Sequence, residues 1–205
     1  MLLCDIGNSS YHFYDGVKEE KYFIEDFKPS EFKERVFYIC VNPHVKTKLE
    51  LLDNWIDLSL DVAMQNYYPT MGIDRVIACE AISDGVVVDA GSAITVDIVK
   101  DGVFMGGWIA LGLHQLQKSY SEISSKLSYQ FNYNLNFDIM PKNSQDAITY
   151  GALKPLCSEI LSYGLPITLT GGDATKLAPF LEGAIVDELL LFKGMKKIIQ
   201  RADLC

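Results

Sequence analysis

The chain has 205 residues, 49% of them hydrophobic, enough to bury a substantial core in one large domain or two small ones. Its 27 acidic against 18 basic residues leave a formal charge of −9 and a pI near 4.8. That balance weighs against a nucleic-acid or anionic-membrane partner, which would be approached against long-range repulsion.

The first half reads as short strands. "MLLCDI", "YHFYDG", "EKYFIE", "RVFYICV" and "IDLSLDV" are β-rich runs separated by polar or turn residues, and Asp15-Gly16 suits a hairpin turn. A helix is predicted over residues 74–82. "GVVVDAG" is a continuous apolar run suited to a buried strand, and "AITVDIVKDGVFMGGWIA" reads as a second hairpin turning at Asp101-Gly102. Helix-spaced apolar residues then predict helices over 111–127, 144–163, 173–181 and 187–202, with "LPITLTGG" as a strand among them. "YQFNYNLNFDIMP" reads as irregular cover. The closing "KGMKKIIQRA" is basic on one side and reads as a solvated face complementing a helix C-terminus.

The five cysteines (Cys4, Cys40, Cys79, Cys157, Cys205) are widely spaced and form no C-x-x-C pair, which points to reduced core thiols rather than a disulfide framework or a zinc site. No apolar run approaches the roughly 20 residues of a membrane-spanning helix, and the start lacks the features of a secretory signal. The expected location is the cytoplasm.

One feature repeats. "LLCDIGNSS", a strand and an Asp-Gly turn are echoed by "VVVDAGSAI", a strand and an Asp-Gly turn. A single D-x-G is expected by chance on the order of once in a chain of this length. Two of them, each ending a buried strand and opening a hairpin, indicate a duplicated α/β architecture with a ligand held between related halves, divided as residues 1–84 and 85–205.

A D-x-G turn offers what a phosphate needs. Gly7 and Gly91 let backbone approach closely, exposed N–H groups can face anionic oxygens, and Asn8, Ser9, Ser10 and Ser92 add neutral donors. Asp5 and Asp89 would repel phosphate directly, so their natural role is to hold a cation or its hydration water. The alternative for each turn alone is a β-turn whose Asp caps local N–H groups. "GGWIALG" and "TGGDA" are further glycine clusters, the latter at a strand-to-helix junction where a nucleotide can lie on bare backbone, though each could be only a tight connection. No P-loop, kinase-type glycine loop or Rossmann fingerprint occurs.

In "PTMGIDRVIACEAI", Asp74 and Arg75 stand at a predicted helix start. Asp74 is either an N-terminal cap or a base accepting a proton from a substrate hydroxyl, with Arg75 clamping an anionic substrate. His12, His44 and His114 have no metal-ligand spacing and read as structural or solvent-facing.

The ordered set "DIGNSS", "GIDR", "VDAGSAITVD", "GGWIALG", "NSQDAITYG" and "TGG", spanning positions 5–172, resembles type III pantothenate kinase of the actin, sugar-kinase and Hsp70-like superfamily. The resemblance implies an α/β fold of two duplicated ribonuclease-H-like domains of the actin-like ATPase type, mixed sheets flanked by helices, with ATP in the inter-domain cleft. It implies phosphorylation of pantothenate to 4'-phosphopantothenate, the first step of coenzyme A biosynthesis, in a homodimer. Asp5, Ile6, Gly7, Asn8, Ser9, Ser10, Tyr11, His12 and Ser92 would be the ATP-binding residues. Asp89 would ligate a monovalent cation, K⁺ or NH₄⁺, and Asp5 would serve Mg²⁺. Tyr68, Gly72, Ile73, Asp74, Arg75 and Ser144 would bind pantothenate, with Asp74 catalytic. The chain has Leu111 where the family usually has Pro, and Ser92 and Ser144 where it usually has Thr; serine keeps the hydroxyl. Rival readings are a sugar- or acetate-type kinase and a nucleotide-binding regulator without kinase activity.

Overall fold

A computed structural model describes residues 1–204. The chain forms two compact units, Met1–Ile82 joined by the segment from Leu189 onward, and Ser83–Glu188.

The first unit holds β1 (Leu2–Ile6), β2 (Ser10–Tyr14), β3 (Glu19–Phe23), β4 (Val36–Cys40), α1 (Pro43–Leu49), β5 (Trp55–Asp57), α2 (Ile73–Glu80) and α6 (Leu190–Arg201). Its sheet order is β3-β2-β1-β4-β5, with β1–β2–β3 antiparallel and β1–β4–β5 parallel. Cys4, Ile6, Val36, Tyr38 and Cys40 alternate onto one face and meet Tyr11, Phe13, Val45, Leu49 and Trp55 in a buried cluster rich in aromatic rings. The first hairpin turns at Asp15-Gly16 as expected: Gly16 takes a φ of +109°, and the Asp15 carboxylate accepts from the Val17 and Lys18 N–H groups.

The second unit holds β6 (Gly85–Ala90), β7 (Ala93–Lys100), β8 (Val103–Leu111), α3 (Leu113–Ile123), α4 (Ser144–Ser162), β9 (Ile167–Thr170), α5 (Ala174–Leu177) and β10 (Ile185–Val186). Its order is β10-β9-β6-β7-β8, with β6–β7–β8 antiparallel and β6–β9–β10 parallel. This is the plan of the first sheet again, with β6 standing for β1, so the repeat read from the two D-x-G segments extends to whole sheets. Its core gathers Val86, Val88, Ile94 and Val96 from the sheet with Leu113, Leu153, Cys157 and Ile160 from α3 and α4. Phe131 of the aromatic, Asn-rich stretch is buried there, and that stretch is irregular cover as expected.

Several expectations need correction. The run "IDLSLDV", residues 56–62, supplies only the end of the three-residue β5 and then a single 3₁₀ turn over Leu58–Asp61. Helix α1 was not predicted, although Asn42 caps its first N–H groups and Pro43 occupies the first helical position. The "GGWIALG" segment is the end of β8 and the residue after it, within the expected second hairpin, but Leu111, expected to open the next helix, pairs with Ala93 inside the ladder.

The final helix also departs from the expected division at residue 84/85. It packs on β1 and α2 within the first unit. Its basic face is not simply solvated: the Lys197 ammonium donates to the Ala81 carbonyl at the C-terminus of α2, and Arg201 pairs with Glu80 at 2.9 Å. The helix C-terminus served by these cations is therefore that of α2. Cys4, Cys40, Cys79 and Cys157 are buried thiols outside any disulfide, as expected; Cys205 lies outside the described residues.

Candidate functional site

Each first strand delivers its aspartate one residue before its end. Asp5 pairs with His12 across β1–β2, and Asp89 pairs with Thr95 across β6–β7 and with Thr170 across β6–β9. The turns then close by short backbone bonds, Gly7 N–H to the Ser10 carbonyl at 3.1 Å and Gly91 N–H to the Ala93 carbonyl at 3.0 Å.

Neither glycine is demanded by the fold. An added Cβ would meet nothing nearer than 3.9 Å at Gly7 or 3.6 Å at Gly91, and neither has a positive φ. The remaining residues of the first turn divide by burial. Asn8 and Ser9 are exposed, whereas Ile6 and Tyr11 lie in the core, so their contribution to a phosphate site is confined to backbone. His12 sits 2.8 Å from the Glu19 carboxylate and edge-on to Phe192, which fits the structural reading of this histidine. Burial pushes the Tyr11 hydroxyl up to about 12.

The second turn is held by two distant glycines. A Cβ on Gly112 would fall 2.4 Å from the Ser92 carbonyl oxygen and 2.5 Å from that of Gly91; a Cβ on Gly171 would fall 2.3 Å from Asp89 Oδ1 and 2.7 Å from the Ala90 carbonyl oxygen. These close approaches were not read from the sequence, where both glycines appeared only as members of clusters. The "TGG" cluster stands at the expected strand-to-helix junction, between β9 and α5, whose four residues run on into a 3₁₀ turn over Ala178–Phe180.

Tyr68, Gly72, Ile73, Asp74 and Arg75 come together at the start of α2. Tyr68 to Met71 forms a reverse turn closed by Met71 N–H to the Tyr68 carbonyl, with Pro69 at its second position. The turn brings the tyrosine back to the helix: Arg75 Nη1 donates to the Tyr68 hydroxyl, and the guanidinium lies 5.7 Å from the ring centroid. Gly72 is the N-cap residue, and the bare position lets the Asp74 carboxylate fold over the helix start, where Oδ1 accepts from the Arg75 N–H at 2.8 Å. A Cβ on Gly72 would meet that Oδ1 at 2.4 Å. Arg75 is 4% exposed, a buried guanidinium engaged with Tyr68.

Ser144 is exposed as the first residue of α4 in the second unit. Beside it, Asn143 caps the helix, and the Asp146 carboxylate accepts from the Asn132 and Asn143 side-chain amides, which hold its pKa below the usual carboxylate value.

Among the described residues no group of three or more His, Cys, Asp or Glu side chains could hold a metal ion. An ion that travels with nucleotide phosphates needs less, since Mg²⁺ is commonly held by one or two carboxylates together with phosphate and water. Asp5 and Asp89 each supply a carboxylate. Beside Asp89, the Ala90 carbonyl adds a second hard oxygen facing the same bare Gly171. The donor chemistry fits Mg²⁺ and a monovalent cation.

The family profile of type III pantothenate kinase matches residues 31–163, and a protein of Sulfurimonas denitrificans named type III pantothenate kinase is 58% identical over 205 residues, covering 100% of both chains. The chain belongs to the type III pantothenate kinase family. The crystal structure of a protein from Campylobacter jejuni, named a conserved putative Baf family transcriptional activator, covers 100% of both chains at 42% identity with a TM-score of 0.90. A putative 2-dehydro-3-deoxygalactonokinase from Sinorhizobium meliloti covers 98% of both chains at 10% identity and a TM-score of 0.57, a likeness of fold alone. The two mixed five-stranded sheets flanked by helices are the α/β, actin-like ATPase fold expected of this kinase family. None of the described helices is long and apolar enough to cross a membrane.

Proposed function

We propose that the chain transfers the γ-phosphoryl group of ATP to the primary hydroxyl of pantothenate, giving 4'-phosphopantothenate and ADP in the first step of coenzyme A biosynthesis. The observation that carries this reading is the pair of strand-ending D-x-G turns in two sheets of one plan, in a chain that also sets Asp74 beside Arg75 and Tyr68.

Phosphoryl transfer asks mainly for positioning and charge neutralisation. In this reading the N–H groups of the Asp5 to Ser10 turn and the side chains of Asn8, Ser9, Ser10 and Ser92 bind the ATP phosphates; Ile6, Tyr11 and His12 shape the first turn from behind. Asp5 would hold Mg²⁺, and Asp89 would hold K⁺ or NH₄⁺. The bound cations would supply positive charge against the phosphates. That Gly7 and Gly91 have room for a Cβ supports a ligand, rather than the fold, as the reason for bare backbone at both places.

Asp74 accepts the proton of the pantothenate hydroxyl as the oxygen attacks phosphorus. Gly72 leaves room for its carboxylate, Ile73 and Tyr68 line the substrate, and Arg75 acts by fixing the Tyr68 phenol. Ser144 is assigned to pantothenate from the second unit. A homodimer and a cytoplasmic location belong to the same reading.

A transcriptional activator, as the Campylobacter protein is named, would have to approach DNA, a polyanion, with a net charge of −9. The acceptor class is tested with γ-labelled ATP and a panel of pantothenate, hexoses and acetate. Label should enter pantothenate alone. Label in a hexose or acetate and not in pantothenate would move the chain to a sugar- or acetate-type kinase.

A further inference from the structure

The "TGG" cluster stands out from the sequence at the junction of β9 and α5. Its first glycine faces the neighbouring strand. Gly171 follows β9 directly, and β9 runs parallel to β6 with Thr170 opposite Asp89, so residue 171 lies beside the end of the strand that carries this carboxylate. Gly171 has a φ of +86°, a conformation that side chains rarely take, and its missing Cβ is the space against which Asp89 Oδ1 and the Ala90 carbonyl rest. A further bond, Asp173 N–H to the Ala90 carbonyl at 2.9 Å, fastens the same connection to β6. Gly172 is different: a Cβ there would meet nothing within 4 Å.

We infer that Gly171 is a positioning residue for the Asp89 carboxylate, setting where it stands and thereby the affinity of the monovalent cation assigned to it. The inference rests on the assignment of that ion to Asp89. A methyl group at 171 must push the carboxylate, the Ala90 carbonyl or the β9 connection aside. The carboxylate, the far end of a side chain, yields most easily; the Ala90 carbonyl oxygen at 2.7 Å is backbone of the same strand end, so pressure on it also moves the residue that carries the carboxylate. Outer residues that orient an ion's ligand commonly change its affinity roughly 10–100-fold, and that is the effect expected here.

The test measures thermal unfolding as K⁺ is titrated against tetramethylammonium at constant ionic strength, so that it reads ion binding without turnover. The native chain should gain stability with K⁺. Gly171→Ala should need roughly 10–100-fold more K⁺ for the same gain, and Gly172→Ala should respond as the native chain does. Should Gly171→Ala not fold, Gly171→Asn replaces it, since asparagine tolerates left-handed backbone while carrying the same Cβ. A native-like K⁺ response in the residue-171 variant would overturn the positioning role while leaving the ion at Asp89. An equal loss in Gly172→Ala would also overturn it, by showing that any change in the connection suffices. A native chain indifferent to K⁺ would remove the ion assignment and this inference together.

Discussion

Asp74 stands in the first turn of α2, where a carboxylate ordinarily serves the helix by facing its unpaired N–H groups, and Oδ1 does accept from the Arg75 N–H. The capping and catalytic readings therefore share one geometry, and only a substitution separates them. Asp74→Asn keeps the shape and the acceptor oxygen but removes the basicity. Turnover should fall roughly 10²- to 10⁴-fold, the usual range for a lost general base, while the affinity for ATP measured by calorimetry stays as it was. Unimpaired turnover would leave the carboxylate a helix cap. The residue types of this site were legible in "GIDR" because carboxylate, guanidinium and glycine at a helix start are a compact local pattern. The state of Arg75 was not, because burial depends on what folds over it, and Tyr68 reaches it only through the turn at Pro69. Gly112 and Gly171 were hidden for a related reason: a missing Cβ matters only against atoms that arrive from elsewhere in the chain.

At the scale of elements, most strands and hairpins were easy to read because they are written in β-rich apolar runs and in Asp-Gly turns, and both such turns take the left-handed backbone that glycine permits, at Gly16 and Gly102. The short helix α1 was missed because seven residues hold too few apolar positions to show a period, and its Asn-Pro start was the only signal. The crossing of α2 with α6 depends on Gly194, where a Cβ would stand 2.1 Å from the Ile77 carbonyl oxygen. Alanine in a helix is intrinsically better than glycine by about 1 kcal/mol. The clash is with backbone, however, and overpacking of that kind costs about 1–3 kcal/mol, so the steric effect should win. Gly194→Ala should lower the midpoint of thermal unfolding by several degrees. An unchanged or raised midpoint would mean that α6 shifts away from α2 freely.

For the whole molecule, the duplication was legible in two nine-residue segments because each begins a sheet of the same order, and the strand that opens the sheet ends in the D-x-G turn. The return of the last helix to the first unit was not legible. Its amphipathic pattern shows that one face is buried but does not say against which sheet, and the cations that tie it to the end of α2 looked like an ordinary solvated face. One D-x-G turn lies in each unit, and Asp74 lies in the first. The central claim is an ATP-dependent transfer to pantothenate. It is tested most directly by steady-state release of ADP in a coupled assay with Mg²⁺ and K⁺, run with and without pantothenate. The account predicts ADP release that depends on pantothenate and saturates with it; an ADP release that pantothenate does not change would contradict it.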